Sequence, residues 1–343
     1  MKRYAVFLFY LMAASVCMHG AAPCTDHGYD CESDGDLLVM FWNLENFFDW
    51  TDSGTSASDR EFSSAGERHW TKGRFYVKCR SVAKTVMWAG SRYGRMPDVA
   101  GFAEVENGFV VRSVIFTAAL EKYGYAAVHY DSCDPRGIDV ALIYRKDVFR
   151  CKWSRPYRIA AGGVFLATRD ILHVCLERRD GGERYDFIVN HHPSKYGGEK
   201  ESYPRRIAAM SCLRHIADSL LEAGHCRVVA MGDFNDTPDG DAFRITEDVL
   251  HDMSADMCGT GKGTIRYQGK WELIDNFLVS DDIGGRSSME ICRPPFLLVP
   301  DSSYPGMKPF RTYSGPRYAG GVSDHLPVVL KIKGIKTDEI HCM

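Results

Sequence analysis

Carboxylates, amides and histidines gather in this sequence where short apolar runs end, at Asn43, Glu104, Asn190–His191, Asp233–Asn235 and Asp324–His325. A rigid sheet holds groups at its strand ends while the loops beyond stay open, so sheet proteins place reactive groups there. The run RVVAM ends in GDFND, Gly232 to Asp236. Asp233 and Asn235 are two residues apart, so an extended or tightly turned backbone sets both on one side. A carboxylate with a neutral amide suits a hard cation, or a phosphate that must not be over-repelled. The plainer alternative is an Asx turn closing the strand. Glu104 ends the apolar run of GFAEVEN, where a lone buried carboxylate is costly unless paired or metal-bound; Glu106 is the nearby alternative. Asn43, in FWNLEN, is neutral and could orient a phosphate or a neighbouring carboxylate.

Two histidines complete the set. Ser323, Asp324 and His325 precede LPVVLKI. Adjacent residues in a strand point to opposite faces, so Asp324 need not orient His325. Asp275, in ELIDNFLVS, offers a carboxylate from another strand. A histidine so held can act as a general base on water near neutral pH. His191, in NHHPS, could protonate a leaving oxygen or hold a phosphate, with Asp139 of RGIDVALIYR as its orienter. His192 is a neighbour without a role. For each pairing the alternative is a structural hydrogen bond.

The elements that must position these groups alternate along the chain. Strands are expected at Leu37–Trp42, Asp98–Ala103, Tyr125–Tyr130 and Asp139–Arg145. Further strands are expected at Gly163–Thr168, Leu172–Arg178, Tyr185–Asn190, Arg227–Met231, Leu273–Ser280 and Leu326–Ile332. Helical spacing covers Lys72–Tyr93, Gly108–Lys122 and Ser202–Ala223, and residues 51–66 read as a surface loop. Many adjacent strands lack a helical crossover. That excludes a simple doubly wound sheet and predicts one domain, residues 37–335, of two packed sheets with helices outside.

Composition bounds the rest. The chain has 343 residues, 45% hydrophobic and 25% charged, which excludes disorder. Lys2 and Arg3 precede an apolar run to Met18 and small residues at Gly20, Ala21 and Ala22, the order of a secretory signal over residues 1–22. The expected destination is the periplasm or the exterior. Lipid attachment at Cys17 or Cys24 is the alternative, although Val16 and Pro23 are poor neighbours for it. Residues 23–36 read as a flexible lead-in. Net charge is −3, or −5 without the signal, so a polyanion site must be local. The 12 cysteines form no CxxC pair, which favours buried free thiols over a zinc site, with Cys24–Cys31 a possible disulfide. Arg68, Trp70, Lys72, Arg74, Lys78 and Arg80 offer basic and aromatic groups to a nucleic-acid backbone, or form a solvated helix face.

In this order the segments FWNLEN, GFAEVEN, NHHPS, GDFN, IDNFLVS and SDHLPV resemble the endonuclease/exonuclease/phosphatase family, from about Leu37 to Lys333. The resemblance implies an α/β fold, a four-layer α-β-β-α sandwich of two mixed β-sheets flanked by helices. It implies metal-dependent hydrolysis of phosphodiester bonds, with nucleic acid as the expected substrate and no stable protein partner for a monomer. It implies Mg²⁺, with Mn²⁺ or Ca²⁺ as alternatives, held mainly by Glu104 with help from Asn43 or Asp324. His325, oriented by Asp275, is then the base, Asp233 positions water or the leaving group, and Asn235, His191 and Asn43 bind phosphate. Glu45 stands where abasic-site members carry an Asp, which leaves its role open. A phosphomonoesterase, or a sphingomyelinase-like or inositol-phosphatase-like hydrolase, is the alternative within the fold. A catalytically inactive binding protein is the alternative outside it.

Overall fold

Runs that are apolar on both faces become central strands. In the computed structural model, which describes residues 35–52, 56–195 and 198–334, the principal elements follow in chain order. They are β1 (Leu37–Phe47), α1 (Ala57–Glu61), α2 (Lys72–Tyr93), β2 (Val99–Val105), α3 (Gly108–Ile115), β3 (Tyr125–His129), β4 (Asp139–Arg145) and β5 (Phe149–Tyr157). Then come β6 (Ile171–Arg178), β7 (Arg184–His191), α4 (Glu199–Glu222), β8 (Val228–Asp233), β9 (His251–Asp252), β10 (Asp275–Val279), β11 (Ser287–Ile291) and β12 (Val328–Ile332). The secretory signal and most of the lead-in lie outside the described residues, as does the Cys24–Cys31 pair. The described cysteines are unpaired, with Cys79, Cys175 and Cys292 buried. No helix among the described residues is long and apolar enough to cross a membrane.

Two six-stranded sheets form, ordered β11-β12-β1-β2-β4-β3 and β9-β10-β8-β7-β6-β5. Each has one central parallel pair, β1 with β2 and β8 with β7. All their other pairings are antiparallel. Parallel neighbours need a crossover, and a long helix supplies it in both sheets, α2 between β1 and β2, α4 between β7 and β8. The two halves therefore repeat one topology, although no repeat is visible in the residues themselves.

Strand periodicity explains the layers. Leu37, Val39 and Phe41 of β1 meet Val99, Phe187, Val189, Val229 and Met231 between the sheets. Leu38, Met40 and Trp42, on the opposite face, meet Phe75, Cys79, Val82 and Val86 of α2. On the far side Ile188, Val228 and Ala230 meet Ala209, Met210, Leu213 and Ile216 of α4. The result is the expected α-β-β-α sandwich. Helix α2 starts where Thr71 accepts a hydrogen bond from Arg74 N and stops at Gly94, whose φ of 80° suits glycine.

Three expectations change. The 51–66 loop carries α1, capped by Ser56. The strand expected at 163–168 shrinks to Val164–Phe165, paired with Ala160–Ala161. The helix expected at 108–122 ends at Ile115.

Gly101 shows how closely the sheets meet. A Cβ there would lie 2.9 Å from Met231 Sδ, 3.2 Å from Phe41 and 3.3 Å from Val189. Gly101→Val should therefore destabilise the protein by about 1–3 kcal/mol, read as a lower urea midpoint. An unchanged midpoint would mean that the sheets separate freely here.

Candidate active site

The polar rim is a direct consequence of period two. The face of β1 that carries Val39 and Phe41 into the inter-sheet core carries Asn43 next. On β8, Val229 and Met231 are followed by Asp233; on β7, Val189 is followed by His191. On β10, read backwards, Phe277 is followed by Asp275. Register aligns three of them, because Asp233 pairs with His191 on one side and with Asp275 on the other. Gly232 makes the close approach possible, since a Cβ would lie 2.5 Å from the Asn190 carbonyl oxygen.

Glu104 arrives by another route. Its parity would send it toward the helices, but β2 shifts register between Ala103 and Val105, and Glu104 has φ 60°. The irregularity re-aims its carboxylate toward the rim. Glu45 (φ 48°), Asn46 (φ 46°) and Asn235 (φ 49°) are also left-handed, so four of the six such non-glycine residues described border this site. Strain of this kind persists where surrounding structure enforces it, and it concentrates at functional sites.

The side chains form a sequence of alternating carboxylates and imidazoles. His191 Nε2 lies 3.8 Å from Glu104 Oε1 and 3.7 Å from Asp233 Oδ2. His325 Nε2 lies 3.9 Å from Asp233 Oδ2 and 4.0 Å from Asp324 Oδ1. These separations are too long for hydrogen bonds, and they suit groups that converge on one bridging oxygen or cation. Around them the support is tight. His325 donates from Nδ1 to Asp275 Oδ2 at 2.8 Å. Asn43 Nδ2 donates to Asp233 Oδ2 at 3.0 Å, and Asn235 N to Asp233 Oδ1 at 2.9 Å. Trp42 Nε1 donates to the His325 carbonyl at 2.9 Å, and Ser323 Oγ to the Asn43 carbonyl at 2.6 Å. The second pair ties the SDH segment to β1.

Electrostatics separate the two imidazoles. Burial alone would lower the His325 pKa, but Asp275, Asp233 and Asp324 together raise it well above its ordinary value. Burial, with Arg169 and Arg136 nearby, holds His191 well below its own. Asp233 is raised to about 7 by burial and by Asp275, against the pull of His325, Asn43 and Asn235. His325 and Asp233 thus share protons as a pair.

Of the residues expected from sequence, Asn43, Glu104, His191, Asp233, Asn235, Asp275, Asp324 and His325 come together. Asp139 does not reach His191. Its Oδ2 lies 3.3 Å from His129 Nε2 and its Oδ1 accepts from Ser132 N at 3.0 Å; β4 belongs to the other sheet and starts at its rim. No described protein group hydrogen-bonds His191 Nδ1. Asn43 is hydrogen-bonded at both ends of its amide. Its Nδ2 is given to Asp233 and its Oδ1 accepts from Glu45 N at 2.9 Å, so it orients a carboxylate. Asn235 gives Nδ2 to the His192 carbonyl at 2.9 Å.

Other groups reach the site from distant segments and carry no motif. Arg311 Nε lies 2.9 Å from Glu45 Oε1 and its Nη2 3.0 Å from Asp324 Oδ2. Arg136 Nη2 donates to Asn46 Oδ1 at 2.7 Å and lies 3.4 Å from Glu104 Oε1. Lys78 Nζ donates to the Glu45 carbonyl at 2.6 Å and to Thr312 Oγ1 at 2.9 Å. Burial lowers Lys78 to about 8, against the pull of Glu45, Glu104 and Asp324. Burial and Asp324 raise Glu45 to about 7, against Arg311 and Lys78. Glu45 therefore anchors the cations that stand beside the acidic rim.

The basic stretch faces both ways, with Lys72 and Arg80 exposed and Arg68 and Arg74 half-buried. Trp70 and Lys78 are each 1% exposed. Arg68 pairs with Glu61 at 2.6 Å, and Arg74 donates to the Arg68 and His69 carbonyls at 3.1 and 2.8 Å. Trp70, Lys78 and the two paired arginines are thus engaged within the fold, while Lys72 and Arg80 face solvent.

Of the acidic groups, Glu104 and Asp324 best fit a divalent cation. Both are carboxylates on the rim, hard donors of the kind Mg²⁺ takes, and both act on Lys78 and Arg311. Asp233, Asp275 and His325 also lie within 4.8 Å of one another, but His325 Nδ1 is already committed to Asp275, so that trio is a hydrogen-bonded relay.

A sequence model described as the Endonuclease/Exonuclease/phosphatase family matches residues 38–334. A search of curated proteins found no match. Among solved structures, the chain is similar to the catalytic domain of human nocturnin, at 16% identity and TM-score 0.54, covering 89% of this chain and 97% of that one. It is similar to an endonuclease/exonuclease/phosphatase family protein from Bacteroides thetaiotaomicron, at 16% identity and TM-score 0.57, covering 88% and 98%. It is also similar to a mannosyl-6-phosphatase from the same species, at 17% identity and TM-score 0.55, covering 86% and 99%. At these identities the structural likeness speaks for the fold.

Proposed function

This chain belongs to the endonuclease/exonuclease/phosphatase family, and from that premise we propose that its rim hydrolyses a phosphoester by attack of water, assisted by a divalent cation. The observation that carries the reading is the alternation Glu104, His191, Asp233, His325, Asp324, with 3.7–4.0 Å between neighbours. His325, fixed through Nδ1 by Asp275, exchanges a proton with the attacking water at Nε2. Asp233 shares that proton and, held by Asn43 and Asn235, keeps the water in line. Neutral His191 presents Nε2 as a donor to a phosphate oxygen. Glu104 and Asp324 are the residues that would hold Mg²⁺, or Mn²⁺ or Ca²⁺ in its place, and the bound ion would neutralise charge developing on the phosphate.

The substrate is proposed to be compact. A cavity of about 240 Å³ borders Glu45 and Arg311 and is lined further by Asn46, Phe62, Arg68 and Tyr313. That volume suits a sugar-sized group. The buried Trp70 and Lys78 offer no contact to a polynucleotide, and likeness to a mannosyl-6-phosphatase agrees with a small phosphoester. The test is a panel of sugar phosphates, nucleotides, bis(4-nitrophenyl) phosphate, DNA and RNA, each with Mg²⁺ and with EDTA. Small phosphoesters should be cleaved fastest, and chelation should abolish the reaction. Activity that survives full chelation would remove the cation, and preference for DNA or RNA would restore the nuclease.

A further inference from the structure

We infer that His129, Asp131 and Asp139 form a second cation site, chemically distinct from the rim and specific for a borderline transition metal such as Zn²⁺. One ligand atom from each residue lies within 4.8 Å of the others. The His129 side chain is 8% exposed, yet its Nε2 has no hydrogen-bond partner. It faces Asp139 Oδ2 across 3.3 Å; Asp131 Oδ1 lies 3.8 Å from the ring's other nitrogen, Nδ1, and its exposed side chain would turn to share an ion held at Nε2. Outside the open spacings of the catalytic rim, two buried histidine–aspartate pairs close tightly. His325 meets Asp275 at 2.8 Å and His173 meets Asp186 at 2.8 Å, both as hydrogen bonds. Two atoms each about 2.1 Å from one tetrahedral ion lie about 3.4 Å apart, which is the spacing at Asp139. An imidazole with two carboxylates suits Zn²⁺, whose fourth position water can fill, whereas Mg²⁺ prefers an all-oxygen shell.

The site sits at the neck of a loop. His129 ends β3 and Asp139 begins β4, so an ion held by both closes residues 130–138 like a clasp. That loop reaches the catalytic rim twice. Arg136 donates to Asn46 and lies beside Glu104. Asp134 Oδ2 accepts from Arg169 Nη1 at 3.0 Å, and Arg169 Nη2 donates to the His192 carbonyl at 2.8 Å. The ion would thus order the segment that presents Arg136 to Glu104.

Equilibrium dialysis of the full chain against Zn²⁺ in excess Mg²⁺, with bound metal counted by mass spectrometry, tests this directly. Wild type should hold one equivalent that Mg²⁺ does not displace. Asp131→Asn and His129→Gln should each bind it at least tenfold more weakly. Zn²⁺ should raise the Tm of wild type but not of Asp131→Asn. Asp131 is exposed, so its variant isolates binding from folding. Cys133, exposed on the same loop, is controlled by Cys133→Ser, which should bind normally. Failure of wild type to retain an equivalent overturns the site, as does wild-type binding by Asp131→Asn or loss in Cys133→Ser alone.

Discussion

Replacing His325 by alanine should lower kcat/KM by roughly 10²–10⁴-fold, the range a positioned general acid–base group supplies. The effect should exceed that of any surface change because no other imidazole can take over. His191 Nε2 sits between Glu104 and Asp233, on the far side of Asp233 from His325. Asp275→Asn should fall in the same direction by a smaller factor, since the ring keeps its place under the Trp42 and Ser323 contacts but loses the carboxylate that fixes its tautomer. The double variant should be no slower than His325→Ala, because residues acting as one unit are not additive. His325→Ala leaves Asp275 buried beside no imidazole, so circular dichroism must accompany the kinetics. A folded His325→Ala enzyme within tenfold of wild type would remove His325 from the proton pathway.

What the sequence made legible follows from burial. β1, β2, β4, β6, β7 and β8 are central strands with both faces covered, and each reads as an apolar run. The strands it missed are edges. β5 and β9 bound one sheet and β11 bounds the other. An edge strand pairs on one side only, and Phe149–Tyr157 has exposed and half-buried residues throughout after Phe149 and carries Pro156, which a central strand would exclude. Its polarity is what solvent contact requires, and it reads as loop. β9 is two residues long, below what any periodicity can show.

The site divides the same way. Asn43, His191, Asp233 and Asp275 follow by counting in twos along strands already recognised, whereas His325 meets Asp275 across the two sheets, β12 lying in one and β10 in the other. Glu104 lands on the rim only through the irregularity after Ala103, which no spacing reveals. Arg136, Arg311 and Glu45 meet the site across separations of 32 residues between Arg136 and Glu104 and 266 between Arg311 and Glu45; the two arginines come from loops and Glu45 from the left-handed end of β1. Asp139 shows the opposite failure. It has the right residue type at a strand end, but β4 lies beyond β2 in the sheet order, and Asp139 faces His129 on the outer neighbour β3.

Asp233→Asn should separate catalysis from stability. Activity should fall by roughly 10²–10⁴-fold, because the amide cannot share a proton with His325. Its single carbonyl oxygen can keep only one of the two bonds, from Asn43 Nδ2 at the Oδ2 position or from Asn235 N at the Oδ1 position, so the local frame persists in part. The acid limb of the residual activity should move to lower pH, because removing one of the carboxylates that raise His325 lets its pKa fall. Stability should move the other way. Burial and Asp275 raise Asp233 to about 7, above its value in the unfolded chain. The folded state therefore binds a proton that the unfolded state releases, and this group costs stability increasingly as pH rises from about 4 through 7. The variant should thus be more stable than wild type at pH 8, with the difference vanishing near pH 4, as read by urea midpoints across that range. A group that weakens the fold at the pH where it is charged, and is nonetheless held by two directed hydrogen bonds, is one whose charge the site requires. Equal or lower stability of Asp233→Asn at pH 8 would instead make this carboxylate a structural partner of His325.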